Sequence, residues 1–404
     1  WLNEGWASYC EAIYMEHFYG ENQYRQYVRS NQMSVVNSAH ETDDGYWPLS
    51  DMPYDLTYST TVYDKGSMVV HNLRHYMGDN LFFPAVKSYL SAFSENDAST
   101  EQLRDHLSNH SGIDLTDFFD NYVFHGGFPH YSIDSVVSFG EEIKVTISQQ
   151  SVGRDFLGNS NKVSVGFVDE QWNVHEHWLE FDGAQGSHFF TPGFEPVMVV
   201  LDYYNKTAGP VFDHSKIVKT TETYYPAGMD LNIMPATISD SAFIHVAEMW
   251  KGPAESGDNI NHIEVLDARW WRIVFDSRGD FDAGCRFNYN FFSNDGFNLE
   301  EGDSLMLVYR ADNEAHWQHV EQIWTGDINS GNFVIENLIP GNYAIARWNE
   351  ASSIKSLEKA NHIEAWPNPS KGGFYIQIPE GSGCIVSVFN QQGKKVDEIK
   401  NITT

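Results

Sequence analysis

The feature that most limits what this chain can fold into is a change of hydrophobic period at Gly126-Gly127-Phe128-Pro129. On its N-terminal side apolar residues recur at helical spacing, as at Leu81, Phe82, Val86 and Leu90. On its C-terminal side they alternate, as in residues 131–137 and 143–147. A run of helices followed by a run of strands describes an α+β chain, and 404 residues leave room for several domains. The expected division is a helical part over 1–127, a β-sandwich over 128–206, a second β module over 207–350 and a separate tail over 363–404.

Within the helical part, Glu4 to Tyr19 reads as a helix that is apolar almost all round. Leu2, Trp6, Tyr9 and Ile13 form one stripe; Ala7, Cys10, Tyr14 and Phe18 form a second. Such a helix is expected to be buried, with Cys10 as a small core hydrophobe. It nevertheless carries Glu4 and Glu11, seven apart on one face. A buried carboxylate is costly without a partner, so a cation, a metal or several donors must face Glu4. A polar helix over 21–33 and a long irregular stretch over 34–61 come next; loops of that length in a compact domain usually wrap a site. A second strong helix opens around Tyr63, with Thr60 or Thr61 as the expected cap and Asp64 in the first turn. Gly66 and Ser67 remove bulk where this helix can approach another backbone closely. Gly78 stops it, a helix follows over 80–93, and another starts at Ser99 and ends at Gly112. His106 and His110 share a helix face, but Leu107 stands where the zinc-peptidase form of that spacing has Glu, so a polar helix end is expected there.

After Pro129, further strands are expected at 162–167, 175–181 and 197–201. In the second module they are expected at 243–249, 270–275, 304–309 and 343–347. That module is rich in tryptophan: Trp250, Trp270, Trp271, Trp317, Trp324 and Trp348 belong to a core or line a binding face, and core is the commoner use. Arg278-Gly279-Asp280 is three common residues in a turn.

The chain holds 25 basic and 56 acidic residues, a net charge of −31. That balance argues against nucleic acid or an anionic membrane as the main partner. Three scattered cysteines make neither a metal pair nor a disulfide framework. No apolar run approaches the ~18 residues of a membrane span.

Trp1-Leu2-Asn3-Glu4-Gly5-Trp6-Ala7 resembles the segment that follows the zinc-binding helix in the aminopeptidase N family of gluzincins, with Trp6 in place of Phe. Val62-Tyr63-Asp64-Lys65-Gly66 resembles the family's Tyr-x-Lys-Gly motif. Asp117-Phe118-Phe119-Asp120-Asn121-Tyr122-Val123, followed by Gly-Gly-Phe-Pro, is similar to the family's exit from its helical lobe into a small β domain. The resemblance covers roughly residues 1–205 and implies the helical half of a thermolysin-like catalytic lobe followed by antiparallel β-sandwich modules. It implies Zn2+ as cofactor, Glu4 as a zinc ligand and Tyr63 as the group that stabilises the tetrahedral intermediate. The implied activity is removal of N-terminal amino acids from peptides. The family's His-Glu-x-x-His and Gly-x-Met-Glu-Asn motifs occur nowhere in the 404 residues, so this chain alone is expected to be inactive and to bind zinc poorly. The competing expectation is a non-catalytic exported binding or adhesion protein on a degenerate peptidase scaffold.

In the tail, Trp366-Pro367-Asn368-Pro369 with Gly372 and Phe374, then Val388-Phe389-Asn390-Gln391-Gln392-Gly393-Lys394-Lys395-Val396, resembles the C-terminal sorting domain of proteins exported by the type IX secretion system of Bacteroidota. That resemblance implies the secretion machinery as a partner and an extracellular or cell-surface location.

Overall fold

The computed structural model describes residues 1–207, 209–253, 263–290, 299, 304–312 and 316–348, and in the tail 364–366, 375–377, 384–389 and 394–402. The chain divides into two compact units, Trp1–Trp348 and Asn349–Thr404.

The first unit opens with α1 (Glu4–Tyr19), α2 (Glu21–Ser34) and α3 (His40–Thr42), then α4 (Gly66–Met77), α5 (Asp79–Ala92), α6 (Thr100–Ser111) and α7 (Thr116–Phe119). Wide π-helical turns at Val35–Ala39, Thr61–Lys65 and Asp120–Phe124 join or extend them. α6 starts at Ser99 through a capping box: the Ser99 hydroxyl takes the Gln102 N–H and the Gln102 side chain takes the Ser99 N–H. Tyr9, Tyr24, Val28, Val70, Leu73, Phe82, Leu103 and Phe119 fill the helical core.

Two expectations for α1 need correction. It buries one face, with Gly5, Tyr9 and Ala12 inward, because α2 and α4 pack on that side only. The second apolar stripe lies open: Ala7 and Cys10 are exposed, Tyr14 is 52% and Phe18 62% exposed, and the rings of Tyr14 and Phe18 lie 4.6 Å apart. Cys10 is therefore not a core residue.

The break at Gly126-Gly127 is steric as well as periodic. A Cβ on Gly126 would lie 2.0 Å from the Tyr46 carbonyl oxygen of the long loop. Gly127 has φ +68, and a Cβ there would lie 2.1 Å from the Val152 oxygen. The chain then enters β1 (Phe128–Phe139), β2 (Glu142–Val152), β3 (Asn161–Val168), β4 (Val174–Phe181), β5 (Gln185–Phe190) and β6 (Met198–Leu201). These form two antiparallel three-stranded sheets, β1-β2-β5 and β4-β3-β6, around Tyr131, Ile143, Val145, Val165, Phe167 and Leu179. The expected strands at 162–167, 175–181 and 197–201 fall on β3, β4 and β6.

The next layer comprises β7 (Val211–Val218), β8 (Leu231–Ile238), β9 (Ser241–Met249), β10 (Ile263–Arg278), β11 (Phe281–Asn290), β12 (Ser304–Arg310), β13 (Gln318–His319), β14 (Ile323–Gly326), β15 (Ser330–Ile335) and β16 (Gly341–Trp348). A six-stranded sheet, β13-β12-β16-β10-β9-β7, faces a four-stranded one, β14-β15-β11-β8. Trp270 and Trp271 are core residues, whereas Trp324 and Trp348 are 42% and 39% exposed. Arg278 of the Arg-Gly-Asp turn is folded back, its guanidinium 4.3 Å from the centre of the Trp172 ring.

In the second unit β17 (Glu364–Trp366) pairs with β18 (Tyr375–Gln377), and β19 (Cys384–Phe389) pairs with β20 (Lys395–Ile402). Pro367-Asn368-Pro369 and Gln391-Gln392-Gly393 lie outside the described residues. Among the described residues no helix is long and apolar enough to cross a membrane.

Phe82 ties α5 to α1: it stacks on Trp6 with ring centres 6.1 Å apart and meets Tyr9 edge-on at 6.4 Å. Phe82→Ala should lower the stability of the unit by about 3–5 kcal/mol. Urea unfolding followed by tryptophan fluorescence reads this as a lower midpoint with an unchanged slope.

Candidate active site

Two helix backbones touch where α1 and α4 cross. A Cβ on Gly5 would sit 2.9 Å from Gly66 Cα and 3.0 Å from the Val62 oxygen; a Cβ on Gly66 would sit 2.9 Å from Gly5 Cα. The expectation that Gly66 permits close backbone approach is met, and its partner is the glycine that follows Glu4. This contact brings Glu4, at the start of α1, to Tyr63 in the wide turn that leads into α4.

Both side chains are half-buried. Partial burial raises the Tyr63 phenol above its ordinary value, and the Glu4 carboxylate raises it further through its charge and a hydrogen bond. The Glu4 carboxylate also takes the Asn3 side-chain amide at 3.5 Å. No Lys or Arg pairs with Glu4 among the described residues. Glu4 thus faces the Tyr63 phenol, and the positive charge that acts on it is the Trp1 ammonium rather than a Lys or Arg side chain.

The turn carrying Tyr63 is held from the long loop. Asp43, buried, accepts the Thr61 N–H at 2.8 Å and the Thr61 hydroxyl at 2.6 Å. The expected local cap at Thr60 or Thr61 is therefore supplied from residue 43, and neither Thr60 nor Thr61 caps the turn itself. Lys65 is also buried and donates to the Trp47 carbonyl at 3.1 Å, over the Phe128 ring at 5.0 Å. Burial lowers its pKa to about 7, with the Arg154 charge adding to the effect. Lys65 thus fastens the loop and the start of β1, while Tyr63 two residues earlier faces Glu4.

A buried polar chain fixes the same two helices farther along. The Asn205 carbonyl takes His71 Nε2–H at 2.7 Å, so Nδ1 is the acceptor and receives the Tyr24 hydroxyl at 2.6 Å. Tyr9 lies 3.0 Å from Tyr24 and accepts from Arg74 at 3.4 Å. Arg74 in turn forks onto Glu16 of α1 at 2.6 and 3.0 Å and onto Asp79 at 2.7 and 2.9 Å. Burial lowers His71 to about 4, so the ring stays neutral at neutral pH and the chain keeps one direction.

The remaining sequence candidates lie elsewhere. Glu11 is exposed and takes the Tyr27 hydroxyl, away from Tyr63. His106 bonds the Ser88 hydroxyl at 3.0 Å, and the His106 and His110 rings stack at 6.4 Å. Sequence reasoning missed Asp43, whose only signal was an acidic residue in a loop that wraps a helix start.

Among the described residues no three His, Cys, Asp or Glu side chains converge as a metal-holding group. A catalytic zinc takes about three protein donors. Glu4 offers a single carboxylate, so the described residues do not make a zinc centre by themselves.

Residues 1–122 match the Peptidase family M1 domain. That region ends at Tyr122, just before the strands begin. Among curated proteins, the chain is 26% identical over 336 residues to Alanine/arginine aminopeptidase of Saccharomyces cerevisiae, covering 76% of this chain and 38% of that protein. It is 27% identical over 134 residues to Aminopeptidase M1-B of Oryza sativa subsp. japonica, covering 32% of this chain and 15% of that protein. It is 28% identical over 144 residues to Aminopeptidase N of Lactococcus lactis subsp. lactis, covering 34% and 17%. The chain thus spans well under half the length of each of these relatives.

The crossing makes a sharp prediction. Gly5→Ala places a methyl against backbone that cannot yield as a side chain does, so it should destabilise the unit by about 1–3 kcal/mol. Thermal unfolding of the variant checks this; a melting temperature equal to that of the wild type contradicts the close contact.

Proposed function

We propose that this chain is part of a zinc-dependent aminopeptidase that removes N-terminal residues from peptides, with Glu4 as a zinc ligand and Tyr63 as the donor to the developing oxyanion. The observation that carries the reading is the Glu4–Tyr63 pair itself, set inside the region that matches the M1 family. A half-buried carboxylate with no Lys or Arg ion pair among the described residues is available to a metal, and a phenol beside it is suited to donate a hydrogen bond. A raised phenol pKa keeps Tyr63 protonated at neutral pH, so it can give that bond to a carbonyl oxygen that gains charge. Asp43 and Lys65 act as positioning residues, holding the turn and the loop from which Tyr63 projects. The other zinc ligands and the general base are proposed to come from outside residues 1–404.

Tyr63→Phe in the full-length protein tests the reading. It should lower kcat for an aminoacyl substrate by about 10²–10³-fold, as removal of an oxyanion donor does, with KM little changed. An unchanged kcat removes Tyr63 from the chemistry.

A further inference from the structure

Acidic residues outnumber basic ones in this chain, 56 to 25, and several of its arginines pair with carboxylates while others do not. Arg74, Arg104, Arg269, Arg272 and Arg347 each lie against one. Arg25 and Arg29, four apart on α2, do not: among the described residues neither has a carboxylate at ion-pair distance. Both line one open cleft of about 420 Å³, whose other wall is built by Tyr203, Asp213 and Ser215.

The two guanidinium groups are held in place but not saturated. Arg25 donates to the Tyr203 carbonyl at 2.7 Å and lies 5.0 Å from the centre of the Tyr204 ring. Arg29 reaches the Ala227 carbonyl at 3.4 Å, and its Nε–H is buried with no partner among the described residues. A buried donor left unpaired is costly, and so are two like charges sharing one wall. Burial lowers Arg29 below its ordinary value; Asp213 opposes that shift and the Arg25 charge adds to it. Burial also pushes Asp213 up to about 6, so it offsets no more than one of the two positive charges. The cleft is left with spare donors, a spare positive charge and room for a ligand.

We propose that this cleft binds a small oxyanion, a carboxylate or a phosphate, between the Arg25 and Arg29 guanidinium groups. Planar guanidinium forks suit both chemistries, and an anion taking terminal N–H donors from both groups would relieve the repulsion between the two side chains. The site is separate from Glu4 and Tyr63, so its fate does not depend on the peptidase reading.

Isothermal titration of the full 404-residue chain at pH 7 with sodium phosphate, and separately with sodium succinate, tests the proposal. Saturable one-to-one binding of at least one anion is expected. A response to phosphate alone assigns a phosphate ligand, and one to succinate alone assigns a carboxylate. Arg29→Met should weaken binding about tenfold or more, the usual worth of a charge-assisted bond. Gln26→Glu provides a second test should Arg29→Met fail to fold. Gln26 is exposed on the same cleft, and an added carboxylate there should occupy the site and abolish the titration while the protein keeps its melting temperature. Absence of saturable binding of either anion to the wild type, or undiminished binding in a folded variant, overturns the proposal.

Discussion

The contact on which the candidate site depends is backbone against backbone. At Gly5 and Gly66 two helices meet with no side chain between them, and a single methyl on either would lie 2.9 Å from the other's Cα. Helices separated by ordinary side chains keep their axes about 8–10 Å apart. Removing both Cβ atoms allows a closer crossing, and the residues beside the glycines come within reach of each other. Glu4 precedes one glycine and Tyr63 lies three residues before the other, so their meeting follows from the crossing. The wide turn at Thr61–Lys65 then sends Tyr63 and Lys65 to different tasks: one faces the carboxylate, the other is buried under Trp47 and Phe128.

The rest of the helical region serves to hold that crossing. Asp43 fixes the turn from the loop, and the chain from Arg74 through Tyr9 and Tyr24 to His71 pins α1, α2 and α4 together and reaches the Asn205 carbonyl. The larger β module adds contacts of its own: Gln32 on α2 donates to the carbonyls of Gly209 at 2.6 Å and Val211 at 3.0 Å, and Val36 joins its hydrophobic core. Buried polar groups that satisfy one another in this way set orientation more than they add stability.

Much of this was legible in the sequence, for definite reasons. The helix-to-strand change at Gly126-Gly127 is a period change, which pattern reading detects well. Gly66 was readable as a close-approach site because a glycine early in an apolar helix needs a reason to be there. Other parts were hidden. β5 (Gln185–Phe190) lacks the alternation of a half-buried strand, and β8 carries Pro235 opposite a register shift at Asp282/Ala283, so neither advertises itself. The open stripe on α1 was misread because Ala7, Cys10, Tyr14 and Phe18 look like core by composition, and composition does not say which side neighbours occupy. Asp43 could not be found by spacing, since its partner Thr61 is 18 residues away in sequence and close only in the folded chain.

The central claim is that the helix crossing sets the Glu4 carboxylate beside the Tyr63 phenol. A pH titration of ¹³Cζ-labelled tyrosine by NMR, with the Tyr63 signal assigned by its loss in Tyr63→Phe, reads that contact directly. The account predicts that Tyr63 titrates above its ordinary 10.0 and that Glu4→Gln lowers its pKa, leaving the parts due to burial and to Tyr58. An identical Tyr63 titration in the wild type and in Glu4→Gln would contradict it.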